Sequence, residues 1–275
     1  MDQARRVALA EFLKAHRAKL QPATVGLPAG GRRRAPGLRR EEVAQVAGVS
    51  TTWYTWLEQG RDITPSPQVL DRIASALRLT QDERRYLLML AASEGAEPAR
   101  AADPPVLGPA AGRILASLQY CPTIVSDRRC GVVAWNPAAA AVFLDFGLVA
   151  VEDRNLIWLL FTRKEFKALA ANWAGLVTGF VALFRSYYGR YIGDPWYGRF
   201  VERLSRENPE FPRFWNHQDV RSAPDVSIEF RHARAGKMLF DLTSLQTQGG
   251  NDLRFSVYTP SAGSDTEAKL RHLLR

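Results

Sequence analysis

Apolar residues recur at helical spacing from Arg5 to Leu20, at Val7, Leu9, Phe12, Leu13 and Leu20, and predict a first amphipathic helix. Gln21 to Pro36 breaks the pattern with Pro and Gly and reads as a loop. From Leu38 to Gly60 the pattern predicts two short helices joined at Gly48, where a positive φ is cheap only for glycine. Val43, Ala44, Val46 and Ala47 turn inward on the first helix. Val49 re-enters the core, Ser50 stands as N-cap of the second, and Tyr54 and Leu57 face inward on Thr51 to Gln59. Ser66 with Pro67 starts a fourth helix over Val69, Leu70, Ile73, Ala74 and Leu77. Thr80 with Glu83 has capping-box spacing and starts a fifth over Tyr86, Leu87, Leu90 and Ala91.

The pattern then lapses. Glu94 to Pro109 is rich in Pro, Ala and Gly without a periodic stripe, and residues 96–108 are read as a linker between blocks 1–95 and 109–275. Beyond it, Ile124-Val125 and Val132-Val133 flank a polar turn and predict a hairpin. Asn136-Pro137 starts a helix to Leu144. The pair Thr162 and Glu165 predicts the cap of a long aromatic helix running to Tyr191, and Trp196 to Trp215 predicts another. Val226–His232, Met238–Leu245 and Leu253–Tyr258 are strand candidates with Gly236, Gly249 and Gly250 between them, and Ser264 with Glu267 opens a last helix. The fold class is therefore a five-helix domain followed by an α+β domain, an antiparallel sheet with helices packed on one face.

Charge changes the picture once the motif is in hand. Among 275 residues, 37 Lys and Arg stand against 28 Asp and Glu, a net +9 with a pI near 9.9, which suits a polyanionic partner. A reading helix must leave short polar groups opposite its core stripe. Thr51, Thr52 and Thr55 are there, with Trp56 beside them to meet a sugar or base edge and Ser50 at the cap. Trp53 is open to either packing or contact. Arg32, Arg33, Arg34, Arg39, Arg40 and Arg61 are candidate phosphate contacts. Operator DNA is the expected partner. One motif reads few base pairs, so a homodimer on half-sites spaced about 10 bp apart is expected.

Other classes find less support. No apolar run approaches a membrane span of roughly 18 residues, and the expected location is cytoplasmic, at the nucleoid. Cys121 and Cys130 are too few for a zinc site, so no metal is expected. No nucleophile elbow, H-E-x-x-H or phosphate loop occurs, and an enzyme is not expected, although His217, Asp219 and His232 carry acid/base side chains.

At Ala44, Gly48, Val49, Tyr54 and Leu57 followed by Glu58-Gln59-Gly60-Arg61, the chain resembles the Xre/Cro-type helix-turn-helix regulators. That resemblance implies that the helix from Thr51 enters a major groove. The strand and helix order after the linker looks like a PAS-type sensor. More narrowly, the chain resembles the MmyB-like regulators, at Val133-Ala134-Trp135-Asn136-Pro137, Asn155 to Phe161, Ser205, Glu210-Phe211, Phe214-Trp215, Asp219-Val220-Arg221, His232 with Gly236, and Val257 to Pro260 with Gly263-Ser264. It departs at Ala233, where the family tends to proline, and in the aromatic density of its long helix. The resemblance implies a small apolar effector of the fatty-acid kind and no further cofactor. Candidate pocket residues are Trp135, Trp158, Trp173, Val177, Phe180, Phe184, Tyr187, Phe214, Trp215 and His232, with Arg185, Arg190, Tyr187 and His217 as candidate head-group partners. Each aromatic equally suits core, and a regulator whose C-terminal domain only dimerises is the alternative.

Overall fold

A computed structural model describes residues 2–28, 37–92, 105–221, 226–247 and 252–275. The chain forms two compact units. One comprises Met1–Arg100, Arg185–Phe200 and Pro212–Ser222, the other Ala101–Phe184, Val201–Phe211 and Ala223–Arg275.

Unit one begins with α1 (Gln3–Lys19), capped by the Asp2 carboxylate on the Arg5 N–H. Then come α2 (Arg40–Ala47) and α3 (Thr51–Glu58), the predicted helix-turn-helix, followed by α4 (Pro67–Ala76) and α5 (Gln81–Ala91). The predicted caps form: Ser50 Oγ accepts from Trp53 N at 3.0 Å, Ser66 Oγ from Val69 N at 3.4 Å, and Thr80 and Glu83 exchange both capping-box bonds. Gly48 ends α2 in the left-handed region at φ 62°, as the turn requires. Gly37 is needed for a different reason: at φ 84° a Cβ there would lie 2.5 Å from Ala18 Cα. The core of this unit joins Leu9, Phe12, Leu13, Val43, Tyr54, Leu57, Ile73 and Leu87 to Ile192 and Val220 from later in the chain.

Unit two holds five antiparallel strands, β1 (Thr123–Ser126), β2 (Val132–Trp135), β3 (Val226–His232), β4 (Gly236–Gln246) and β5 (Arg254–Pro260), in the order β2-β1-β5-β4-β3. The sheet is as predicted. The register pairs Ile228 with Phe240 and Leu242 with Tyr258, so these side chains share one face. Phe143 packs there, 5.4 Å from the Phe230 ring and 4.9 Å from Tyr258. The opposite face carries Val125, Phe255 and Val257 and is covered at Leu115 by α6 (Pro109–Ser117), a helix not foreseen from sequence. Helices thus occupy both faces, and β5 is buried on both from Arg254 to Tyr258.

The intervening helices differ from expectation in their breaks. After α7 (Pro137–Val142), capped by Asn136, comes α8 (Leu156–Thr162), which ends where the predicted long helix was to begin, and that helix is two: α9 (Lys164–Leu169) and α10 (Trp173–Arg190). The Thr162–Glu165 box does not form, because Thr162 Oγ1 donates back to Trp158 O at 2.8 Å. Asn155 and Asn172 provide the caps instead. The segment Trp196–Trp215 likewise splits into α11 (Pro195–Glu207) and α12 (Phe211–Trp215), where Asn208 Oδ1 accepts from the N–H groups of Glu210 and Phe211. The last helix, α13 (Thr266–Leu273), starts at Asp265 rather than Ser264, whose hydroxyl donates to Ser261 O.

Candidate nucleic-acid interface and effector domain

The exposed side of α3 is built by what its other side must do. Tyr54, Leu57 and Glu58 are buried, so the helical period turns Thr51, Thr52 and Trp56 outward and leaves Thr55 half-buried. Trp53 packs against the core. Trp56 is 38% exposed, with the Arg61 guanidinium 5.5 Å from its ring centroid. Ser50 Oγ is engaged as the cap and keeps its own proton to donate.

Beneath α3 lies an ion pair that sequence reasoning did not find. The Glu58 side chain is fully buried and receives a fork from Arg17, Nε at 2.6 Å and Nη2 at 2.8 Å, with Arg40 Nε at 3.0 Å. Arg17 also donates Nη1 to Leu38 O at 2.6 Å, so one guanidinium ties α1 to both helices of the motif. Burial alone would raise the Glu58 carboxyl. The bonds and charge of Arg17, then Arg40, outweigh it and hold that carboxyl below its usual value. The Tyr54 phenol is pushed up, first by burial and then by the Glu58 charge. Arg40, expected at phosphates, therefore also serves Glu58, whereas Arg39 and Arg61 stay exposed. Arg32, Arg33 and Arg34 lie outside the described residues.

The effector candidates divide between the units. Trp135, Trp158, Trp173, Val177, Phe180, Phe184 and His232 belong to unit two, Tyr187, Phe214 and Trp215 to unit one. Val177 and Phe184 are fully buried, with Trp158, Phe180 and Tyr187 nearly so. Trp173 donates Nε1 to Leu160 O and meets the Phe161 ring edge-on at 5.8 Å, and Phe211 closes the other contact with Phe161 at 5.2 Å. Trp135 packs on Phe146 at 5.4 Å. His232 is engaged within the protein: Nδ1 accepts from the Arg234 and Ala235 N–H groups, and Nε2 donates to Ala141 O at 3.1 Å.

Of the head-group candidates, Arg190 and His217 are exposed. Arg185 is buried in unit one, its guanidinium 3.8 Å from the centroid of the Trp215 ring. It donates Nη1 to Gln218 Oε1 at 2.7 Å and Nη2 to Trp215 O. His16, read from sequence as an ordinary helix-face residue, is buried beside this group and donates Nε2 to Gln218 O at 3.1 Å. Burial and then Lys19 push its imidazole below the usual value, against Glu83 and Asp219. No cluster of His, Cys, Asp and Glu able to hold a metal occurs among the described residues, and none of their helices is long and apolar enough to cross a membrane.

Residues 107–274 match the family described as the MmyB-like transcription regulator ligand binding domain, and residues 8–87 match a helix-turn-helix domain family. A search of curated proteins finds no match to the chain.

Proposed function

Because the chain belongs to the MmyB-like transcription regulators, we propose that it binds operator DNA sequence-specifically and that a small apolar effector, of the fatty-acid kind, adjusts that binding from its C-terminal domain. Its helix-turn-helix domain makes it a DNA-binding regulator with a ligand-binding domain. Thr51, Thr52, Thr55 and Trp56 address base edges, and Ser50, Arg39, Arg40 and Arg61 address phosphates, joined by Arg32, Arg33 and Arg34. The chain acts as a homodimer on a palindrome, in the cytoplasm at the nucleoid. The effector changes operator affinity only by its unequal affinity for two states of the protein.

The observation that supports this best is the two-sidedness of α3: a polar, exposed face on a helix whose opposite face is clamped by a buried ion pair. A rigid element is what base readout needs. The test begins with selection of random duplexes on the full chain, followed by titration of the enriched sequence at two salt concentrations. A palindromic site bound at least about a thousandfold more tightly than random DNA is expected. Equal affinity for every sequence would defeat the reading. Native mass spectrometry with organic extraction then asks for the effector. An empty protein whose operator affinity is unchanged by extraction would leave the domain as a dimerisation module.

A further inference from the structure

Unit two carries a groove of about 410 Å³ between the β3–β4 turn and α13. The turn contributes Arg234 and Ala235, and one face of α13 contributes Ala268, Lys269 and His272. Both walls are fixed by bonds within the protein. His232 Nδ1 accepts from the Arg234 and Ala235 N–H groups at 3.3 and 3.1 Å, and its Nε2 donates to Ala141 O at 3.1 Å, so the imidazole anchors the turn. On the other side, Leu239 N donates to the buried Thr266 Oγ1 at 2.8 Å and Lys269 Nζ donates to Lys237 O at 2.7 Å, which ties α13 to β4. A concave site with rigid walls is ready for a ligand before one arrives.

The charges lining it are not balanced. On the same elements Arg231 and Lys237 pair with Glu229 at 3.4 and 2.9 Å, and Arg271 pairs with Glu267 at 2.7 Å. Lys269 meets Asp265 at 2.9 Å, the one carboxylate among the lining residues. The Arg234 guanidinium and the His272 imidazole are exposed and have no side-chain partner among the described residues. Arg234 offers a fork of parallel N–H groups, Lys269 keeps the proton not spent on Lys237 and Asp265, and His272 adds a ring N–H. That set exceeds what the two oxygens of a carboxylate can accept and matches the three oxygens and higher charge of a phosphomonoester. Ala235, Ala268 and the half-buried Leu273 supply an apolar side, and the volume lies within the range of about 300–1,000 Å³ of small-molecule sites. Among the described residues, no exposed large apolar side chain lies on the turn or on α13, so the rim offers nothing to a bilayer.

We propose that this groove binds a small soluble phosphomonoester, with Arg234, Lys269 and His272 on the phosphate and Leu273 beside the organic part. The occupant bridges the turn and α13, and the site stands independently of an apolar effector.

Phenyl phosphate is the probe, titrated into the full chain by calorimetry and located by amide hydrogen exchange. It should bind once per chain, severalfold more tightly than benzoate or inorganic phosphate, and slow exchange at 233–237 and 265–273. Arg234→Gln and His272→Gln should each weaken it about tenfold. Ala268→Trp should abolish binding without altering any charge, whereas Arg271→Gln, which removes a paired cation of α13 outside the groove, should change affinity less than about twofold. All four positions are exposed, so these variants should keep the wild-type fold. No binding in the millimolar range, affinity unmoved by Arg234→Gln and Ala268→Trp, or slowed exchange confined to unit one would overturn the proposal. Benzoate binding as tightly as phenyl phosphate would overturn phosphate as the group recognised. Sedimentation with phosphatidate vesicles that Arg234→Gln abolishes would overturn a soluble ligand.

Discussion

The ion pair under α3 allows a graded prediction. Glu58 is fully buried, Arg17 is 14% exposed and Arg40 is 40% exposed. Glu58→Gln leaves the Arg17 charge inside the protein with only Leu38 O as a strong acceptor. Breaking a buried pair from one side costs about 3–5 kcal/mol, and the low end applies because Arg40 can return to water. Arg17→Met should cost a similar amount, since Glu58 would then keep only one half-exposed partner. Arg40→Gln should cost less than about 1 kcal/mol, as an exposed pair does.

Urea unfolding followed through Trp53 and Trp56 fluorescence measures all three. The sign with pH follows from the lowered Glu58 carboxyl: its contribution is complete above the unfolded value of about 4.3 and fades as pH falls through the lower folded value. The wild type and Glu58→Gln should therefore converge in stability at acid pH. If Arg40→Gln costs as much as Arg17→Met, or Glu58→Gln costs under about 1 kcal/mol, the pair is not what fixes α3.

Gly189→Ala should destabilise unit one by about 1–2 kcal/mol in the same assay, because a Cβ would fall 2.1 Å from Tyr86 Cε2, and a stabilised variant would mean that α10 crosses α5 more loosely. His16 is held below its usual value of 6.5, so wild-type stability should be complete above that pH and decline as pH falls through it, a slope that His16→Gln should lack in urea titrations between pH 5 and 7. Arg39→Ala should weaken DNA binding evenly across sequences and reduce the salt slope by about 1, whereas Thr52→Ala should cost about 1–3 kcal/mol on the selected operator and leave random DNA unaffected. Anisotropy titrations at several salt concentrations separate these two outcomes.

The helix-turn-helix was legible because each of its instructions is local. Ser50, Ser66 and Thr80 cap the residue three positions on, and Gly48 takes its positive φ from the turn it sits in. The strands were legible for the same reason, since alternation and a glycine turn at Gly236 need no distant partner. Local rules also produced the errors. Thr162 could cap forward or bond back to Trp158, and the second choice wins where α8 ends against Arg163; Ser264 had a comparable choice and turned to Ser261. α6 was missed because Leu115 alone of its residues is buried, too little stripe to stand out from a Pro- and Ala-rich stretch.

What no window of sequence could reveal is pairing over long separations. Arg17 and Glu58 are each ordinary surface residues in a helical pattern, and only the crossing of α1 over α3 makes them a buried fork. Arg185 sits within an aromatic run where a charge reads as the solvent side of a helix, yet Trp215, Gln218 and Tyr86 enclose it from positions dozens of residues away. The Ile192 and Val220 side chains in the core of unit one follow the same logic. The exposed face of α3 is thus specified by neighbours in sequence, while the core of its unit draws on residues from both ends of the chain. Substitutions far from α3, at residues 185–192 and 215–220, should consequently alter DNA binding without touching a base.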